Sequence, residues 1–131
     1  MISIVIPLYN KAHTIVHTLN AVFKQEYQDF EVIIVDDGST DNGVGIIQQH
    51  FHDNRIRIFH QENQGVSVAR NRGVEEARCE YVALLDGDRM ASRLSENHDQ
   101  TYSKQPPMRI VSMCIYRSRC FSLYLLYTKR I

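Results

Sequence analysis

Phe30-Glu31-Val32-Ile33-Ile34-Val35-Asp36-Asp37-Gly38-Ser39-Thr40-Asp41 sets an apolar, mostly β-branched run directly against acids, small residues and turn formers. A run of this kind bounded by turn signals predicts a buried strand over Phe30 to Val35. The six residues that follow combine turn formers with helix-capping side chains and predict a loop that opens into a helix. A strand that hands over to a helix in this way is one half of a β-α-β unit, and the neighbouring text can be tested for the other half.

Upstream, Ile2 to Pro7 is a second apolar run closed by a proline, and Lys11 to Lys24 carries Ala12, Ile15, Val16, Leu19, Val22 and Phe23 at helical spacing. Downstream, Val44 to Phe51 reads as a helix, Arg55 to His60 as a strand and Gln61 to Gly65 as a loop. Val66 to Arg78 reads as a helix with Val66, Ala69, Gly73, Val74 and Ala77 on one side, and Tyr81 to Leu85 as a last strand that stops at Asp86-Gly87-Asp88. Strict alternation of strand and helix predicts an α/β fold with a parallel sheet, helices on both faces and right-handed crossovers. Such sheets bind ligands at the carboxyl ends of their strands. Polar clusters fall at three of those ends: Tyr9-Asn10, Asp36 to Asp41, and Asp86 to Asp88.

Composition narrows the classes. With 131 residues the chain has room for one domain. Lysine plus arginine and aspartate plus glutamate are 15 each, so no overall field draws the chain toward nucleic acid, and none is expected as a partner. Cys79, Cys114 and Cys120 have no paired spacing and are expected as reduced thiols. The start, Met-Ile-Ser-Ile-Val-Ile-Pro, has neither the basic region nor the apolar length of a signal peptide, which predicts a cytoplasmic protein. Ile110 to Tyr127 is apolar, but Arg117 and Arg119 sit inside it, and each would cost about 2.5–3.5 kcal/mol at a bilayer centre. A spanning helix is not expected there.

The chemistry-bearing candidates are carboxylates. Asp86 and Asp88, one residue apart after a buried strand, can offer oxygens to a hard divalent cation, and Gly87 between them permits close approach. Asp41 reads equally as a helix cap. His13, His17, His50, His52, His60 and His98 lack metal-ligand spacing and read as surface residues. GxGxxG is absent after the first strand, which argues against a dinucleotide-binding domain. A receiver domain would place its acidic pair after the first strand, where this chain has Pro7-Leu8-Tyr9-Asn10.

Pro7-Leu8-Tyr9-Asn10, Val35-Asp36-Asp37-Gly38-Ser39-Thr40-Asp41, Asn63-Gln64-Gly65-Val66-Ser67-Val68-Ala69-Arg70-Asn71-Arg72-Gly73 and Asp86-Gly87-Asp88, in that order, resemble the family 2 glycosyltransferases over Met1 to Asp88. The resemblance implies the GT-A fold, a three-layer Rossmann-like arrangement, and inverting transfer of a sugar from a nucleotide-diphospho-sugar donor to a hydroxyl of a glycan or lipid-linked acceptor. It implies that Pro7, Tyr9 and Asp37 surround the base and ribose, with Asp37 accepting from a base imino group. Asp86 would face the ribose, Arg70 would line the same cleft, and Asp88 would ligate Mn²⁺ or Mg²⁺ on the diphosphate. A lipid-linked acceptor would bring the chain to the inner face of the membrane as a peripheral protein.

After Asp88 the text departs from the family, which usually continues with a further acid, a tryptophan and a proline, and later supplies the catalytic base. No residue here is identified as that base. Residues 1–88 therefore read as the nucleotide-sugar-binding domain and 89–131 as an atypical, irregular tail, and the alternative function is an inactive nucleotide-binding remnant. Codons offer an origin for the tail. Met90-Ala91 read one base later forces a tryptophan codon; permitted codons for Arg89 to Leu94 with the first base of Ser95 then spell Glu-Trp-His-Pro-Asp-Tyr, and the rest of Ser95 with the first base of Glu96 adds Leu. The sequence thus reads as a frameshifted, truncated member.

Overall fold

A computed structural model describes residues 1–25 and 27–86, together with the backbone of 110–111 and 125–128. The chain order is β1 (Ile2–Leu8), α1 (Ala12–Phe23), β2 (Phe30–Asp37), α2 (Gly43–His50), β3 (Ile56–Gln61), α3 (Val66–Glu76), β4 (Tyr81–Leu84), β5 (Ile110–Val111) and β6 (Leu125–Thr128). The sheet runs β3-β2-β1-β4-β6-β5, and the pairs among β1 to β4 are parallel. Every expected strand and helix of 1–85 is present, with ends that differ by a residue or two.

β2 is buried along all eight residues because β1 and β3 flank it and helices cover both faces. On one face Ile4, Ile6, Leu8, Val32 and Ile34 pack against Ile15, Leu19 and Val22 of α1 and Ile47 of α2. On the other, Val5, Ile33, Val35 and Val82 pack against Ala69 of α3. This is the three-layer α/β arrangement. Full burial of a Val, Leu or Ile side chain contributes about 1.5–3 kcal/mol, so the two apolar layers dominate its stability. α3 lies so close to β1 that a Cβ on Gly73 would come within 2.2 Å of Val5 Cγ1, which explains a glycine in the middle of that helix.

Two features depart from the sequence reading. β2 continues through Asp36 and Asp37, which were expected in the loop, because they pair in register with His60 and Gln61 of β3. Residues 110–111 and 125–128, expected to be irregular, form short strands, with β6 antiparallel to β4 and β5 antiparallel to β6. The outer edge of β4 presents unpaired backbone donors and acceptors, and an extended segment satisfies them through main-chain hydrogen bonds whatever its origin. The other tail residues lie outside the described ones.

At the amino ends of the strands a buried polar knot joins the layers. Ser3 Oγ donates to Glu31 Oε1 at 2.6 Å, the Arg78 amide donates to the same oxygen at 2.9 Å, and Arg57 Nη1 donates to Glu31 Oε2 at 3.3 Å. Burial pushes the Glu31 carboxyl up, but these donors and the Arg57 charge outweigh it and hold the group below its ordinary range. Burial pushes the neighbouring Cys79 thiol up.

Candidate functional site

The register brings the carboxyl ends of the strands together. Leu8 lies beside Asp36, Asp36 beside His60 and Asp37 beside Gln61, while the Leu85 amide donates to the Val5 carbonyl at 2.9 Å. Over these ends opens a cavity of ≈ 460 Å³. β1 and the turn after it supply Pro7, Leu8, Tyr9 and Lys11, β2 supplies Asp37, the approach to α3 supplies Asn63 and Gly65, α3 itself Val66 and Arg70, and the segment after β4 supplies Asp86.

Asp37 is 2% exposed. Its Oδ1 accepts from Gln61 Nε2 at 2.8 Å and from the Gln64 amide at 2.9 Å, and its Oδ2 accepts from the Gly65 amide at 2.9 Å. An ionised carboxylate offers about four lone-pair positions, so one acceptor position on Oδ2 is left for a ligand. Gly65 has φ +94° and ψ 161°, a conformation open essentially to glycine alone, and this turns its amide back toward Asp37. Gly38, at φ +72°, lies against the same loop, where an added Cβ would meet the Asn63 amide nitrogen at 2.9 Å.

Across the cavity Arg70 Nη2 donates to Asp86 Oδ1, and both side chains are about one-third exposed. Arg70 Nε is buried and has no hydrogen-bond partner among the described residues. Asp36, next to Asp37, turns away from this cavity: Oδ1 accepts from the Ser39 amide at 3.1 Å and Oδ2 lies 3.1 Å from His60 Nδ1. His60 is therefore tied to Asp36 although its side chain is exposed.

Pro7, Tyr9, Asp37, Arg70 and Asp86, each picked from the sequence, thus meet at one cavity, while Asp88 lies outside the described residues. Leu8, Lys11, Asn63, Gly65 and Val66 complete the wall and were not singled out as site residues. For Asn63 and Gly65 the signal was their place at the head of the Asn63 to Gly73 stretch. Asn71, which follows Arg70 in that stretch, is not part of the wall. Asp41 proves to be a cap, and for two helices.

No group of three or more His, Cys, Asp or Glu side chains is arranged to hold a metal among the described residues. Asp86 supplies a hard oxygen at the cavity wall and Asp88 follows two positions later, a donor set that suits Mg²⁺ or Mn²⁺ chemically. Among the described residues no helix is long and apolar enough to cross a membrane.

A parallel α/β sheet with a ligand-sized cavity over its carboxyl edge defines the three-layer, Rossmann-like class of fold, whose members bind ligands at that edge. The same fold, at a TM-score of 0.62, occurs in Staphylococcus aureus TarS residues 1–349 in complex with UDP-GlcNAc, 31% identical over 66% of this chain and 26% of that one. It also occurs, at a TM-score of 0.62, in the mannosyltransferase PcManGT from Pyrobaculum calidifontis in complex with GDP-Man and Mn²⁺, 27% identical over 66% of this chain and 27% of that one. Residues 3–95 match the model of glycosyl transferase family 2, and the chain belongs to that family. Glycosyltransferase GlyG of Streptococcus pneumoniae serotype 4 is 40% identical over 107 residues, and glycosyltransferase YibD of Escherichia coli K12 is 42% identical over 88. The matches cover 80% and 66% of this chain but 35% and 26% of those proteins, so the chain spans about a third or less of their length.

Proposed function

We propose that the cavity binds a nucleotide-diphospho-sugar and that this chain carries the donor-binding part of a glycosyltransferase acting on a hydroxyl of a glycan or lipid-linked acceptor. The observation that supports this best is the meeting of Pro7, Tyr9, Asp37, Arg70 and Asp86 on one ≈ 460 Å³ cavity, from three strands and a helix. Such a volume suits a small-molecule site.

The side chains divide the work. Tyr9, 45% exposed at the cavity wall, offers a face for a base to stack on, and Pro7 lines the same wall. Asp37 is held rigidly by three donors, and its remaining acceptor position suits an imino N–H of a base. Arg70 keeps Asp86 oriented toward the ribose. Mn²⁺ or Mg²⁺, held through Asp88, would neutralise the diphosphate that leaves with the nucleotide. The relatives support a nucleotide-sugar donor and a divalent metal: TarS has been solved with UDP-GlcNAc and PcManGT with GDP-Man and Mn²⁺.

Calorimetric titration with UDP and with GDP, each in Mn²⁺ and in chelator, tests the reading. Binding of one diphosphate that weakens in chelator is expected. Lack of binding to either, in either condition, would overturn it.

A further inference from the structure

We propose that Asn10 and Asp41 are positioning residues for this cleft, a clasp that fixes the Tyr9 side of the site against the Asp37 side; the inference rests on the nucleotide reading above. Neither residue belongs to the cavity wall. Each joins the loop after β1 to the loop after β2.

Asn10 sits between two wall residues, Tyr9 and Lys11, at φ +51°, a left-handed conformation that asparagine tolerates better than most residues. Its Oδ1 accepts from the Thr40 amide at 2.8 Å, from Thr40 Oγ1 at 3.1 Å and from the Asp41 amide at 3.3 Å. Its own amide donates to Ser39 Oγ at 3.1 Å, and the Ser39 amide in turn donates to Asp36. The turn that carries Tyr9 is thereby bound to the segment that begins at Asp37.

Asp41 closes the clasp from the other side. Lys11 and Asn42 occupy the N-cap positions of α1 and α2, and neither makes a side-chain capping bond. Asp41 replaces both: its Oδ2 accepts from the Ala12 amide at 2.8 Å and its Oδ1 from the Gly43 amide at 3.1 Å. One carboxylate thus caps two helices whose first residues are 31 apart in sequence, and it meets the positive ends of both dipoles. Both helix starts, and with them the two walls, are held in one arrangement before a ligand arrives. Such preorganisation lowers the ordering cost of binding.

The test compares the unsubstituted chain with Asn10→Gly, Asn10→Asp and Glu31→Gln, measuring Kd for UDP and GDP in Mn²⁺ and the melting temperature of each. Glycine keeps the left-handed backbone and removes the three Asn10 side-chain bonds of the clasp. Aspartate keeps the acceptor, and Glu31→Gln weakens the fold at the far end of the sheet, a control for stability alone. Asn10→Gly is expected to raise Kd about tenfold, Asn10→Asp to restore it substantially, and Glu31→Gln to lower the melting temperature with Kd unchanged. Binding by the unsubstituted chain with equal Kd for Asn10→Gly overturns the clasp alone, as does an equal loss in Glu31→Gln or no recovery in Asn10→Asp. Failure of the unsubstituted chain to bind either diphosphate overturns the nucleotide reading and the clasp with it.

Discussion

Asp37 combines three roles that a carboxylate can fill at once: it ends β2, ties down the loop before α3 and keeps an acceptor position for a ligand. Asp37→Ala is therefore expected to weaken nucleotide binding by about 1–3 kcal/mol, the cost of leaving buried donors unpaired, as read by calorimetry. Gly73 has a separate, purely steric constraint. Gly73→Ala is expected to lower stability by about 1–3 kcal/mol in denaturant titration, because Val5 would have to move or α3 to lift. Cys79, 7% exposed with its thiol pushed up by burial, is expected to resist alkylation in the folded chain and to react on unfolding, as peptide mapping would record. At this scale the sequence was informative where a residue type carries its own chemistry, as with Asp37, Arg70 and Asp86. It was silent on Lys11 and Val66, whose membership of the wall follows from where the loops run.

Among the elements, strands and helices of 1–85 were legible because each has a strong apolar period and clear punctuation. The Asp41 double cap was not, since local reading links a cap to the helix that follows it, and the bond to Ala12 depends on α1 and α2 starting side by side. The extension of β2 through two aspartates was also hidden, because it depends on pairing with His60 and Gln61 of β3, 24 residues away. Asp41→Ala is expected to cost about 0.5–2 kcal/mol per helix start, measured by denaturant unfolding. Glu31 links β1, β2 and the turn before β4, and its pKa is lower folded than its ordinary value of 4.5. Between the two values the unfolded chain binds more protons, so stability rises with pH there. The Glu31 contribution is expected to be complete above about pH 4.5 and to fade as pH drops through the folded value, an acid dependence that Glu31→Gln should remove.

For the whole molecule, the parallel sheet and its carboxyl-edge cavity followed from the order of elements, and family membership from four motifs in sequence. The two antiparallel strands beyond Asp88 did not, since that text lacks a period. The gene offers a check on that region: reading one base later from Arg89 is expected to give Glu-Trp-His-Pro-Asp-Tyr-Leu and continue open, and an immediate stop would contradict it. Asp88→Ala is expected to remove the Mn²⁺ dependence of diphosphate binding while part of the affinity stays. The most direct test of a single nucleotide cleft is an amide NMR titration with UDP or GDP in Mg²⁺. Shifts are expected at Tyr9, Lys11, Gln64, Gly65, Arg70 and Asp86, with Ser3, Glu31 and Cys79 unmoved, whereas shifts centred on that second group, or none at the first, would contradict the assignment.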